Sequence, residues 1–277
     1  MVHGHPLRRG EVVAEIERAA SAHLGRPWAS HGFTDLSGQA SHPCGVLHGV
    51  PFSVFAKLAR SATAREQFTA ELGGLRLLSR AARIRTPVPV ADGVVGLPAG
   101  ALLLYEALPE RPSRVAEDWR SIGRLLATAH QARHARFGLG GGRGFFGPLP
   151  QDNRPVPADR WADFYLQRRL VPALRAAAGS GRLPADLAAG VDRIAARLPG
   201  LGGPEPRPAL LHGDAQQNNF ISTADGAVAI DPAPYFGHPE IDLASSARAD
   251  SGSASRSRRP GSAGAPGARA PSPRCSR

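Results

Sequence analysis

His212, Asp214, Asn219 and Asp231 fall within one stretch, "LLHGDAQQNNFISTADGAVAIDP" at residues 210 to 232. An apolar run ends in His-Gly-Asp, a polar loop ends in Asn219, and a hairpin pattern returns to a second aspartate. An aspartate followed five positions later by an asparagine, just after a histidine, is the spacing of a phosphoryl-transfer loop. The Asp214 carboxylate can face an acceptor hydroxyl and take its proton. The chain then turns so that the amide oxygen of Asn219 can ligate a cation beside a phosphate, and Asp231 offers an anionic ligand. Mg2+ takes oxygen ligands and keeps several waters, so one carboxylate and one amide suffice alongside phosphate oxygens.

The complementary positive charge is equally localised. Of 34 basic residues 33 are arginine, and Lys57 is the only lysine. A lone lysine suits a place where a compact ammonium is needed and a planar guanidinium fits badly. "SVFAKL" alternates, setting Phe55 and Lys57 on one strand face and Val54, Ala56 and Leu58 on the other. "TAREQFTAELGGLRLLSRA" predicts a helix with Phe68, Leu72, Leu75 and Leu78 at helical spacing and Thr63 with Glu66 as a capping box. Glu71 shares its apolar face, placed to pair with Lys57 and steady an ammonium against α- and β-phosphates. Each piece alone also fits a bland role: a turn former before Pro232, an edge-strand charge, a helix-surface carboxylate. Their joint order, on the expected element types, is what points to phosphoryl transfer.

The surrounding pattern supplies the positioning elements. Residues 10 to 22 read as an amphipathic helix, and residues 33 to 59 as antiparallel strands separated by glycine-containing turns. Pro87 and Pro89 break the pattern, and "ALLLYEALPE" reads as a buried strand entering a connector near residue 108. Beyond it the signals are helical: Trp119, Ile122, Leu126 and Ala129 mark one face, Trp161, Phe164 and Tyr165 begin another helix, and Leu187, Val191, Ile194 and Leu198 mark a third. "FGLGGGRGFFGPLPQDNRPVP" reads as a long loop. Strands are expected at 208–212, 220–222 and 228–231, with an Asp225-Gly226 hairpin turn. The expected architecture is α+β and bilobal: a strand-rich nucleotide-binding lobe over residues 1–108 and a helical catalytic and substrate lobe over 109–244.

Residues 245–277 contain only Ser, Ala, Arg, Asp, Gly, Pro and Cys, a composition expected to be disordered because it has nothing large to bury. Of the net charge of +11, seven arginines and one aspartate after Ala244 contribute +6. The basic signal therefore concentrates in that segment, and no nucleic-acid partner is expected of the folded part. No run approaches the ~20 apolar residues of a membrane span, and no apolar run follows the N-terminal basic residues as in a secretory signal. Two distant cysteines, Cys44 and Cys275, make no disulfide framework. A cytoplasmic protein acting on a small molecule, without a membrane partner, is expected; oligomeric state is not legible.

The chain resembles the fructosamine kinase family, within the aminoglycoside phosphotransferase-like and protein-kinase-like fold. The stretches that carry the resemblance are "VFAKLA", "QFTAELGGLRLL", "LLLYEAL", "WRSIGRLLATAHQ", "FFGPLPQDN", "WADFYLQRRLVPAL", "LLHGDAQQNNF" and "IDPAPYFGHPEIDLA", spanning roughly residues 33 to 244. The resemblance implies ATP-dependent phosphorylation of a sugar hydroxyl on a ketosamine such as fructoselysine, with Mg2+. It implies Asp214 as general base, Asn219 and Asp231 as metal ligands, and Lys57 with Glu71 as phosphate clamp. Glu106 to Leu108 would be the hinge whose backbone meets adenine, and Asp242 would brace the catalytic loop. Two departures stand out. The family's H-G-D-L-W-x-G-N has Gln216 where tryptophan can stack on the sugar, which keeps an aminoglycoside or another hydroxylated amine open as acceptor. The family also continues past "IDLA" with further helices, which this chain replaces with its Arg/Ser/Pro-rich segment, as an out-of-frame reading would produce. An inactive nucleotide-binding remnant is the corresponding alternative.

Overall fold

The computed structural model describes residues 4–247 apart from positions 40, 112, 142, 182 and 202, and no helix among them is long and apolar enough to cross a membrane. Helix α1 (Gly10–Leu24) is followed by β1 (Gly32–Asp35), β2 (Cys44–His48), β3 (Val54–Ala59), α2 (Ala64–Ala82), β4 (Pro89–Leu97) and β5 (Gly100–Glu106). These strands form one antiparallel sheet in the order β1-β2-β3-β5-β4.

Alternation along the two central strands decides what each face meets. Val54, Ala56 and Leu58 of β3, with Leu102 and Leu104 of β5, pack with Val12, Ile16 and Trp28 on the α1 side. Ala59, Ala101, Leu103 and Tyr105 face the other way and pack with Phe68, Leu72 and Leu75 of α2. Covering both faces removes each of these side chains from water, a gain of about 1.5–3 kcal/mol for each large one. Lys57 is on the α2 side of β3, which aims it at Glu71.

The helical lobe holds α3 (Ala116–Ala129), the hairpin β6 (Arg143–Phe146) and β7 (Leu149–Asp152), α4 (Trp161–Tyr165) running through a π turn at Leu166–Leu170 into α5 (Val171–Gly179), and α6 (Ala185–Leu201). Short strands β8 (Ala209–Leu210) and β11 (Phe236–Gly237) pair antiparallel, as do β9 (Phe220–Thr223) and β10 (Gly226–Ala229), and α7 (Glu240–Ala247) follows. The lobes share a core: Leu78, Ala82 and Ile84 pack in one cluster with Ile122, Leu126, Leu210 and Phe220.

Several expectations need correction. Thr63 precedes α2 without capping it, and Glu66 reaches Arg143 at 2.9 Å instead of completing a capping box. The proline-interrupted stretch before β5 is itself an edge strand, β4, tolerated because the sheet edge needs no donor from Pro89 and because Ala91 and Gly93 take positive φ at a bulge. The expected long loop folds into the β6–β7 hairpin, turning at Gly147 with φ 55. Trp119 lies off the buried face of α3, and Asp118 is the buried neighbour, accepting from Arg111 and the Val115 amide. Leu187 and Ile194 of α6 stay exposed, so periodicity there marks a surface stripe. Ser245 to Ala247, within the segment expected to be disordered, instead continue α7, and Ser246 Oγ donates to the Ala215 carbonyl. The rest of that segment lies outside the described residues.

Candidate active site

Lys57 is almost fully buried, and its ammonium lies 3.0 and 3.1 Å from the two carboxylate oxygens of Glu71 and 2.6 Å from Asp231 Oδ1. An unpaired ammonium at such a depth would cost several kcal/mol. Burial opposes its charge, but the two carboxylates outweigh that and hold the Lys57 pKa above its ordinary value. Glu71 is pushed up to about 8 by burial, against the pull of Lys57. One cation thus serves two acidic side chains. Glu71 itself is placed by α2, whose Gly74 permits the helix to approach the loop after Asp231: a Cβ there would stand 2.8 Å from Pro234 Cδ.

Asp231 adopts φ 50, in the left-handed region, and the main chain turns sharply past it. The opposite wall is the loop from His212 to Asn219. Asp242, fully buried, holds that loop from below: one oxygen accepts from the His212 amide at 2.8 Å and from His130 Nε2 at 2.9 Å, the other from the Gly213 amide at 2.9 Å. Gly213 has φ 80 and faces the Ala233 carbonyl so closely that no Cβ fits. The buried His212 donates through Nε2 to the Ile230 carbonyl at 3.0 Å, tying this loop to the segment that leads from β10 to Asp231. Burial lowers its pKa and keeps the ring neutral.

Asp214 emerges from the braced loop with one oxygen accepting from Gln216 Nε2 at 2.8 Å, and burial raises its pKa from its ordinary value. A more basic carboxylate is a better proton acceptor near neutral pH. Asn219 Nδ2 donates to the Asp214 carbonyl at 2.8 Å. A carbonyl can only accept, so this bond fixes the amide orientation and leaves Asn219 Oδ1 available to the cleft.

Two cavities meet at these groups. One, of about 490 Å³, is bounded by Lys57, Glu71, Gly73, Leu77, Phe145 and Asp214 among others. The other, of about 210 Å³, runs beneath the sheet past Val46, Phe55, Tyr105, Glu106, Leu108 and Ile230. Lys57, Asn218, Asn219 and Asp231 line both. Lys57, Glu71, Glu106, Leu108, Asp214, Asn219 and Asp231 therefore lie on one connected cleft, with Glu106 and Leu108 at one end and Asp214 at the other, whereas His212 and Asp242 are buried behind it. Among the described residues no group of three or more His, Cys, Asp and Glu side chains is arranged to hold a metal ion. A cation between Asn219 Oδ1 and Asp231 would have to share its shell with oxygens of a bound ligand, which suits a hard divalent ion.

Sequence reasoning did not single out Asn218, Gly74, His130 or the β6–β7 hairpin. Asn218 precedes the metal-ligand candidate and could have been suspected from adjacency; His130 carries no local signal, since its partner lies 112 positions away. Gln216, noted as a departure, has a specific role as the side-chain donor to Asp214. Cys44 is buried on β2 with its thiol pushed up to about 11 by burial, which argues against a reactive thiolate there.

Comparison with known proteins agrees with this geometry. A family model described as fructosamine kinase matches residues 12–251. The probable ketoamine kinase of Synechocystis sp. is 34% identical over 234 residues, covering 83% of this chain and 75% of the relative. The probable ketoamine kinase of Escherichia coli K12 is 34% identical over 178 residues, and the match spans 64% of this chain and 59% of that protein. A structure assigned as a fructosamine-3-kinase from Thermobifida fusca superposes with a TM-score of 0.70 at 30% identity, covering 86% of this chain and 79% of that one. With a protein-kinase-like α+β fold, a sheet lysine clamped between two acids and a family match over most of its length, the chain belongs to the fructosamine kinase family, a family of kinases.

Proposed function

We propose that this protein transfers a phosphoryl group from ATP to a sugar hydroxyl of a ketosamine. The observation that carries the reading is the junction of the two cavities at Lys57, Asn218, Asn219 and Asp231. A nucleotide in the narrower cavity, its base against the Glu106 to Leu108 backbone, would bring its terminal phosphate to that junction. The acceptor would enter the wider cavity beside Asp214. The relatives support the acceptor class: they are named as ketoamine kinases.

Asp214 accepts the proton of the attacking hydroxyl, and the burial that raises its pKa strengthens it as a base. Gln216 fixes one of its oxygens, leaving the other for the acceptor. Lys57, steadied by Glu71, contacts the α- and β-phosphates. Asn219 and Asp231 would hold Mg2+, which when bound neutralises developing charge on the phosphate oxygens. In the structure Lys57 occupies Asp231 directly at 2.6 Å, so nucleotide binding must move the ammonium from that carboxylate toward phosphate.

The test is ADP release with fructoselysine present and absent, in the wild type and in Asp214→Asn. Acceptor-dependent release that falls by about 10²–10⁴ in the variant, with its thermal unfolding unchanged, is expected. Unchanged turnover in the variant would remove Asp214 as base, and acceptor-independent release in the wild type would remove the ketosamine. Chelation of divalent cations should abolish turnover in the same assay.

A further inference from the structure

The wider cavity does not end at Gly73 and Leu77. Both residues also line a shallower recess whose remaining walls are Arg76, Arg80 and Ala81. No side chain separates the two spaces at Gly73, where an added Cβ would meet nothing within 4 Å. Arg76 and Arg80 stand four positions apart on α2, so their side chains share one face of the helix. Both are exposed, and neither forms a hydrogen bond or ion pair with another described residue. Arg143, which also lines the wider cavity, differs in being committed to Glu66 at 2.9 Å.

The charge balance changes along this path. Glu71, Asp214 and Asp231 line the wider cavity together with the paired cations Lys57 and Arg143. One helical turn outward the wall carries two guanidinium groups that pair with no carboxylate among the described residues. A molecule whose hydroxyl sits at Asp214 and whose body extends past Gly73 would leave these carboxylates and arrive between two planar forks of donors. Such forks match a carboxylate in geometry and charge.

We propose that Arg76 and Arg80 form an anion subsite at the outer end of the acceptor cavity, and that the acceptor is a ketosamine whose amine carries a carboxylate at its far end. This rests on the kinase reading and narrows its substrate class. Because the site is open to solvent, screening limits its effect to about three- to tenfold in KM.

The experiment compares two acceptors of matched length, the ketosamine of aminohexanoic acid and that of aminohexanamide, with the wild type and the Arg76→Gln/Arg80→Gln double variant. The wild type should show a KM for the acid about three- to tenfold below that for the amide. That ratio should shrink with rising ionic strength and collapse toward one in the double variant. Equal KM values in the wild type, or a ratio that survives the double substitution, would overturn the subsite while leaving the kinase reading in place. Absence of turnover on both acceptors would instead overturn the kinase reading and the subsite with it. Thermal unfolding of the double variant, whose substituted positions are exposed, verifies that any change in ratio arises in a folded protein.

Discussion

Replacing Asp242 by asparagine tests how the catalytic loop is held. The carboxylate lies out of contact with solvent and serves three donors: the His212 amide and His130 Nε2 on one oxygen, the Gly213 amide on the other. An asparagine keeps one acceptor oxygen and turns the other position into a donor. Whichever way it sits, an NH2 group faces at least one N–H, and a buried donor loses its partner. Losing one charge-assisted bond costs about 1.5–3 kcal/mol, and the orphaned N–H adds about 1–3 kcal/mol. The expected destabilisation is therefore about 2.5–6 kcal/mol. For a chain of this size that corresponds to a fall in Tm of about 5–24 °C. Asp214 directly follows the two amides that Asp242 holds, so kcat should fall as well, by about 10² if the carboxylate shifts by an ångström. The KM for nucleotide should change less, because Asp214 does not line the narrower cavity proposed to hold the nucleotide. Scanning calorimetry and steady-state ADP release on the same preparation read both quantities. A Tm within about 2 °C of wild type together with unchanged kcat would refute the idea that Asp242 positions the loop.

Gly213→Ala should destabilise the fold by about 1–3 kcal/mol in chemical denaturation, since φ 80 and the facing Ala233 carbonyl leave no room for a methyl group; a neutral effect would show that the loop can open there. Cys44 should resist alkylation: with its thiol pushed up to about 11 by burial, the thiolate fraction at pH 8 is far below that of an exposed cysteine. Iodoacetamide should label it slowly in the native protein and rapidly in denaturant, the native rate climbing as pH rises toward that value. Rapid native labelling at pH 8 would contradict the buried placement.

Much of the site was legible in the sequence because its parts are locally encoded. Alternation in "SVFAKL" puts Lys57 on a defined strand face, helical spacing puts Glu71 with Phe68 and Leu75, and the Asp225-Gly226 turn folds Asn219 and Asp231 back toward each other. The misreadings share a physical cause. β4 was hidden because proline and glycine weaken the strand signal, although at a sheet edge they cost little. The β6–β7 hairpin lay within a Gly- and Pro-rich run whose composition reads as loop. The capping box failed because Thr63 lacks the extended backbone of an N-cap and Glu66 found Arg143, 77 positions away.

Taken alone, the amino-acid sequence determined which residue types are available, which face of each strand or helix they share, and that a lone lysine, one glutamate, two aspartates and an asparagine come in the order of a phosphoryl-transfer site. Tertiary structure decided what no local pattern can encode: the 2.6 Å approach of Lys57 to Asp231 across 174 positions, the bracing of the loop by Asp242 and His130, and the meeting of the wider cavity with the recess beside Arg76 and Arg80. The physical reason is range. Backbone periodicity and turn chemistry act over a few residues, whereas burial and charge pairing are settled only when distant segments pack against one another.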